Sequence, residues 1–483
     1  MKVLLALPIR EGVNTQIAPD LGILYLGTVL LHKGFDVTLL DCPKDSFSFE
    51  DFRTFLQEHH FDVVGFRCYS RDHIYVNHHL NIVRQVSPHA LTLMGGPHPS
   101  ALPEFVLSSM PNLDLAWKAE AEEGLPELLS CFEEYGREMP EGRLEKIPGL
   151  VWRSQEKGQT VVNPPGFTAE LDSYGIPAWH LLRPETYPGF IWDEYYPIST
   201  TRGCPFPCTY CNTPGLSGKK LRHRSVEHVI QELSFLKNRY AVRRFSIIDD
   251  EFTLARKYTT RFCQALIDSD LELKWDIPAG VRLDSLDPEL LKIMEAAGCE
   301  AMAVGIESGN ERIQRLIKKR VTVEKIREKA AQVAGCTQIR MAGYFMIGFL
   351  DETEEEIMDT IRLAVELPLQ RANFNLVIPI PGTAIFQELL QEGLLKLGQI
   401  NWDSLTCDQV AFPRRHVSGR RLLELQKHAY SRFYGRPGII WDVGKEMLKN
   451  RELLWRSLQK LRMFARRNET YSFTPMYLRE KLA

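Results

Sequence analysis

Long apolar runs are missing from this 483-residue chain: segments rich in aliphatic residues, such as Met1 to Ile9 with its Lys2 and Pro8, are strand-sized and far short of the ~20 residues that cross a bilayer. The start of the chain also lacks a basic region leading into a long apolar core and a small-residue cleavage site. Neither a membrane span nor a signal peptide is therefore expected, and a cytoplasmic protein is. An excess of one charge is missing too. With 59 Lys and Arg against 62 Asp and Glu there is no surplus to hold a phosphate backbone, which disfavours a nucleic-acid partner. The basic stretches Arg414-Arg415-His416 and Arg466-Arg467 read as solvated faces. The turn after the first apolar run has no G-x-G-x-x-G. A nicotinamide or flavin site is thereby disfavoured, although Asp41 closes the second run where a ribose-binding acid would stand. Of the 10 cysteines, three fall within eight residues and the rest are scattered, which fits one metal site in a reducing compartment and not a disulfide framework.

What is present describes a folded, multi-domain α/β protein: 44% hydrophobic and 25% charged residues, and a length for two to four domains. Residues 1–138 alternate apolar runs with amphipathic stretches. This predicts an open parallel sheet of Rossmann-like, doubly wound form, with strands at Val3–Leu7, Asp36–Leu40, Val63–Phe66, Leu91–Met94 and Leu113–Trp117. Helices are expected near 21–33, 50–58, 73–86, 100–109 and 122–135. Residues 139–195, rich in proline, read as a linker containing a small hairpin at Leu150-Val151-Trp152 and Thr160-Val161-Val162. Six further strand–helix units over 196–383 predict a partial (β/α)6 TIM-like barrel, with strands beginning at Pro197, Phe245, Trp275, Met302, Met341 and Phe374. Residues 384–483 are expected to form a helical C-terminal cap carrying Leu422, Leu423 and Leu425, then Met447, Leu448 and Leu453.

The densest chemistry lies directly after the first barrel strand, in Thr201-Arg202-Gly203-Cys204-Pro205-Phe206-Pro207-Cys208-Thr209-Tyr210-Cys211. Three thiolates at C-x3-C-x2-C spacing on a short, stiff loop can converge on one iron–sulfur cluster and leave one iron open. A structural zinc site would call for a fourth ligand, usually from a second cysteine pair, which this sequence does not contain. Arg202 stands beside the first cysteine, where its charge can tune a cluster or simply face solvent.

This segment resembles the radical S-adenosylmethionine (SAM) signature, with Tyr210 as its aromatic residue. The strand ends Phe245 to Phe252, Gly280 to Asp284, Val304 to Gly309, Gly343 to Gly348 and Pro379 to Thr383 are similar, in order and spacing, to those of the cobalamin-dependent branch. The N-terminal unit resembles that branch's cobalamin-binding domain through Pro19 to Gly27, Gly65 to Ser70, Gly95 to Pro99 and Ala119-Glu120-Ala121-Glu122. The last motif carries alanine at both usual glycines.

The resemblance implies a 4Fe-4S cluster on Cys204, Cys208 and Cys211. It implies SAM bound by Tyr210, Asp249, Asp250, Glu251, Arg282, Glu307 and Ser308, and cobalamin bound by Leu21, Gly22, Ser70, Gly95, Gly96, Pro97, His98 and Glu120. Arg67 and Tyr69 face the same presumed pocket. The acids at 249–251 and the Glu307-Ser308-Gly309 strand end also suit plain helix termini. No D-x-H-x-x-G motif is present, so cobalamin without a histidine below cobalt is expected, and His98 reads as a loop residue.

The implied activity is a cobalamin-dependent radical SAM methyltransferase that cleaves SAM to a 5'-deoxyadenosyl radical and methylates an unactivated carbon or a phosphinate centre of a small molecule. Its electrons would come from an external donor such as flavodoxin or ferredoxin. The alternatives are a non-methylating cyclase or ring-rearranging enzyme of the anaerobic Mg-protoporphyrin ester cyclase type, an iron–sulfur electron carrier, and a tRNA-modifying relative, which the net charge of -3 disfavours. Trp179, Trp192, Tyr195 and Tyr196 are offered either to a substrate cavity or to core packing.

Overall fold

A computed structural model of the chain describes residues 1–10, 18–191, 196–441 and 445. Trp192, Tyr195, Met447, Leu448, Leu453, Arg466 and Arg467 lie outside them. The chain divides into two compact units: residues 1–252, 264–273 and 379–405 form the first, and 253–263, 274–378 and 406–483 the second.

The first unit is built on a seven-stranded sheet. Strands β1 (Lys2–Leu7), β2 (Asp36–Asp41), β3 (Val63–Arg67), β4 (Leu91–Gly95) and β5 (Leu115–Trp117) run parallel in the order β2-β1-β3-β4-β5. Their near-continuous aliphatic runs are buried because helices cover both faces. Phe52, Leu56, Val76 and Leu80 pack with Leu4, Val64 and Phe66 in one core. Helix α1 (Leu21–His32) starts where the Asp20 carboxylate accepts the Ile23 N–H, 3.1 Å. The helix expected at 100–109 is two pieces, Pro97–Ala101 and Pro103–Ser109, because Pro103 forces Leu102 out of helical geometry. The hairpin is present as β6 (Leu150–Ser154) and β7 (Gln159–Val162). It is added antiparallel to β5, so the sheet is mixed instead of purely parallel.

The proline-rich segment that follows packs against the rest of the unit instead of hanging free. Tyr187 donates to Asp41 (2.8 Å), Trp179 to Glu232 (3.2 Å) and the Ala178 N–H to Thr28 (2.7 Å), while His228 pairs with Asp172 at 3.0 Å. Asp41, the acid that a dinucleotide ribose would need, is thus bound to Tyr187, and burial raises its carboxyl to about 6. Trp179 and Tyr196 pack in the core with ring centroids 4.8 Å apart and planes tilted by 48°.

The first unit continues with β8 (Pro197–Ile198), the ribbon β9 (Thr201–Arg202) and β10 (Arg222–His223), and β11 (Arg244–Ile247), which runs parallel to β8. Strand β8 stops two residues short of expectation. The Thr200 and Thr201 N–H groups donate to the Asp249 carboxylate (2.7 and 2.9 Å) instead of to a strand ladder.

The second unit holds the parallel strands β12 (Lys274–Val281), β13 (Cys299–Glu307), β14 (Arg340–Ile347) and β15 (Arg371–Leu376) with helices between them. Helix Gly419–Tyr434 closes the open edge at β15. The Tyr430 and Tyr434 hydroxyls accept the N–H groups of Phe374 and Ala372, and Gln426 donates to the Phe374 carbonyl at 2.7 Å. Among the described residues no helix is long and apolar enough to cross a membrane.

Candidate functional site

The cysteine loop leaves and re-enters the fold through the β9–β10 ribbon, in which Arg202 stands opposite Arg222. Its first bend is tight. Gly203 has φ +97°, and a Cβ there would strike the Lys220 carbonyl. The Cys204 N–H reaches the Gly218 carbonyl at 3.1 Å and the Gly203 N–H reaches Asp250 at 3.1 Å. Cys204, Cys208 and Cys211 are all half-buried, and Cys211 Sγ accepts the Thr213 N–H at 3.4 Å. Burial, reinforced by Glu251, Cys211 and Asp250, raises the Cys204 thiol to about 11, as expected where no cation stabilises the thiolate.

Among the described residues no three His, Cys, Asp or Glu side chains are grouped as the ligands of a single metal ion. A multi-iron cluster has no such requirement, since each thiolate binds its own iron. A set of three soft sulfur donors on one braced loop therefore fits a 4Fe-4S cluster.

The carboxylates expected at SAM have specific partners. Asp249 is buried; besides the two N–H groups it accepts the Thr200 and Thr201 hydroxyls, and burial raises its carboxyl to about 6. It braces the base of the cysteine loop, while Asp250 is exposed and Glu251 is buried near Cys204. Tyr210 is half-buried on the loop itself. Arg282, Glu307 and Ser308 belong to the second unit. There Arg282 forms a two-pronged pair with Asp284 (3.0 and 2.8 Å), and Glu307, at φ +66°, pairs with Lys319 at 3.0 Å. Ser308 Oγ lies 3.2 Å from Thr360 Oγ1.

A cavity of about 380 Å³ opens at the carboxyl ends of β1, β3, β4 and β5 within the first unit. Leu21, Gly22, Gly95, Gly96, Pro97 and Glu120 line it, as do Arg67 and Tyr69. A Cβ on Gly95 would meet nothing nearer than Trp117 at 3.9 Å, and Gly96 has φ +101° with the Cys68 backbone 3.0 Å from where its Cβ would stand. This largely apolar strand end, with glycine at 95 and 96, suits the close approach of a flat macrocycle, so the residues present fit cobalamin. Arg67 pairs with Asp20 and lies over the Tyr69 ring at 4.4 Å.

Ser70 and His98 do not line the cavity. His98 is buried, its Nδ1 3.1 Å from Ser70 Oγ and its Nε2 2.9 Å from His73 Nδ1, and burial lowers its pKa to about 3. Both ring nitrogens have protein partners, so His98 is a neutral packing residue beside Phe105 and Trp402 and neither a cobalt ligand nor a solvent-facing one.

Two features of the site have no local signal in the sequence. Ala119 takes a left-handed φ of +66°, held by its N–H on Ser100 Oγ at 2.9 Å. Arg202 points toward the N-terminal sheet, pairing with Glu122 (2.7 Å) and Glu120 (3.5 Å) over the rings of Tyr25 and Tyr174. Although burial works against its charge, Glu122 and Glu120 hold its pKa above the ordinary arginine value.

Sequence profiles match in two places: the B12 binding domain at residues 12–129 and the Radical SAM superfamily at residues 198–364. An uncharacterized methyltransferase of Pyrococcus horikoshii is 29% identical over 448 residues, covering 91% of this chain and 94% of that protein. The cytidylyl-2-hydroxyethylphosphonate methyltransferase of Streptomyces wedmorensis is 27% identical over 429 residues, 78% of each. An anaerobic magnesium-protoporphyrin IX monomethyl ester cyclase of Rubrivivax gelatinosus is 26% identical over 394 residues, 80% of this chain and 70% of that protein. Among solved structures, the radical SAM methyltransferase TsrM of Kitasatospora setae, with cobalamin and a 4Fe-4S cluster bound, has the same fold. Its TM-score is 0.67 at 18% identity, over 81% of this chain and 75% of that one.

Proposed function

Because the chain belongs to the cobalamin-dependent branch of the radical SAM superfamily, we propose that it is a methyltransferase acting on an unactivated carbon or a phosphinate centre of a small molecule. The observation that carries this reading is the presence in one compact unit of a three-thiol loop and a strand-end cavity with glycines in its wall. When bound, the cluster supplies an electron for reductive cleavage of SAM, and cobalamin supplies a carrier for the methyl group. The protein's part is geometric. Cys204, Cys208 and Cys211 hold iron from a loop pinned at Gly203 and braced by Asp249 and Asp250. Leu21, Gly22, Gly95, Gly96 and Pro97 give cobalamin a wall in which three glycines leave the backbone open to close approach. In the same unit Tyr210 and Glu251 offer the aromatic face and the carboxylate that SAM's adenine and amino group call for. The two methyltransferases above, one acting on a phosphonate, favour methyl transfer over cyclisation. Electrons would come from a flavodoxin- or ferredoxin-like donor in the cytoplasm.

The test is anaerobic reconstitution with iron, sulfide, cobalamin and SAM, followed by mass spectrometry. Together, 5'-deoxyadenosine and S-adenosylhomocysteine support methyl transfer. Deoxyadenosine alone would move the reading to cyclase-type chemistry, and the absence of both would leave an electron carrier.

A further inference from the structure

The loop that carries the cysteines has a neck, and the neck has two paired cations. Arg202 of β9 and Arg222 of β10 are register partners, so residues 203–221, including all three thiols, hang from this one pair. Both guanidiniums converge on a carboxylate in the wall of the strand-end cavity: Arg222 grips Glu120 through two bonds of 2.9 and 2.6 Å, and Arg202 lies 3.5 Å from it. Arg222 also donates to the carbonyls of Ser217 inside the loop (2.8 Å) and of Thr168 (2.8 Å). The side chains of Glu120, Glu122 and Arg222 are at most 9% exposed, so water screens these pairs weakly. Glu120, Glu122, Arg202 and Ser217 all line the cavity, so a guest there meets the same groups that hold the loop. Glu120 is aimed by the left-handed Ala119 before it, a conformation that lasts only where its surroundings impose it.

We propose that Glu120 is a positioning residue that couples occupancy of the cavity to the geometry of the cysteine loop, so that cobalamin in the cavity and SAM on the cluster each tighten the binding of the other. This rests on the cofactor assignment above. It gives Glu120 the role of a strut between two sites in place of a simple contact to cobalamin. A guest that orders the cavity wall also orders Glu120, the two arginines and the neck, and so lowers the ordering cost of the second ligand.

The experiment uses the reconstituted full chain. SAM affinity is read by isothermal titration calorimetry on the chain with its cluster in the oxidised state, with and without hydroxocobalamin. Hydroxocobalamin affinity is read from visible absorbance with and without SAM. In the wild type the two factors should be equal, as linkage requires, and about fivefold or more. In Glu120→Gln the factor, taken relative to that variant's own affinity for each ligand alone, should fall close to one while iron and sulfide per chain are kept. Arg222→Lys, which keeps the charge but loses the fork, should give an intermediate factor and serves if the first variant misfolds. A wild-type factor below about two, or one that survives in both variants, overturns the proposal. A wild type that binds neither ligand would overturn the cofactor assignment and this proposal with it.

Discussion

The cysteine loop and the strand-end cavity sit in one unit yet solve their tasks in opposite ways. The loop places three chosen atoms, with few residues and a brace under each bend: Asp249 under Thr200-Thr201, Asp250 under Gly203, Gly218 under Cys204. The cavity depends on what its wall omits at a few positions, the glycines at 22, 95 and 96. Metal chemistry demands donor atoms, whereas a large macrocycle demands room. A single side chain can therefore abolish the first and only obstruct the second.

The sharpest break between the two comes from removing one donor. Cys208→Ala should abolish the cluster's visible absorbance and all deoxyadenosine formation while hydroxocobalamin still binds, measured by iron analysis and absorbance titration. The converse change, Gly96→Val, sets a β-branched side chain at φ +101° against the Cys68 backbone. It should cost roughly 1–3 kcal/mol of stability and weaken hydroxocobalamin binding at least about tenfold, with iron content kept, as chemical denaturation and titration would report.

Both regions lie in the first unit, so the second supplies a reference. Glu352 is buried there with two backbone N–H donors on one oxygen and no partner on the other, and burial raises its carboxyl from 4.5 to about 8. A folded-state pKa above the unfolded one means that the folded protein holds the extra proton between those values. Stability should therefore fall as pH rises from about 4.5 to 8. Glu352→Gln should flatten that slope in denaturation curves and leave cluster and cobalamin loading alone. Smallest is Ala119→Gly. It relieves a left-handed alanine, worth ~1–2 kcal/mol, against glycine's ~0.5–1 kcal/mol entropic cost. A rise in apparent melting temperature of roughly 1–2 °C is expected by calorimetry.

How much of this was legible beforehand follows the same divide. The cysteine loop could be read residue by residue, since its spacing is its chemistry. The parallel strands were legible because continuous aliphatic runs mark buried strands, and helix His73–Val86 falls where the amphipathic pattern puts it. The antiparallel addition of β6 and β7 was not, because a hairpin's sequence does not say which sheet edge it joins. Nor was the bond of Arg222 to Glu120, which links residues 102 positions apart through charges that look like ordinary surface residues. His98 misled by its setting: after Gly-Gly-Pro it reads as a loop residue, and only the fold brings Ser70 and His73 to its two nitrogens.

The proline-rich stretch between the two modules has a practical consequence. Its side chains act as rivets, from Asp172 on His228 to Tyr187 on Asp41, which leaves no slack for added length. A reporter tag or inserted domain belongs instead at Gly158, at the exposed tip of the β6–β7 hairpin, where an added Cβ would meet nothing within 4 Å.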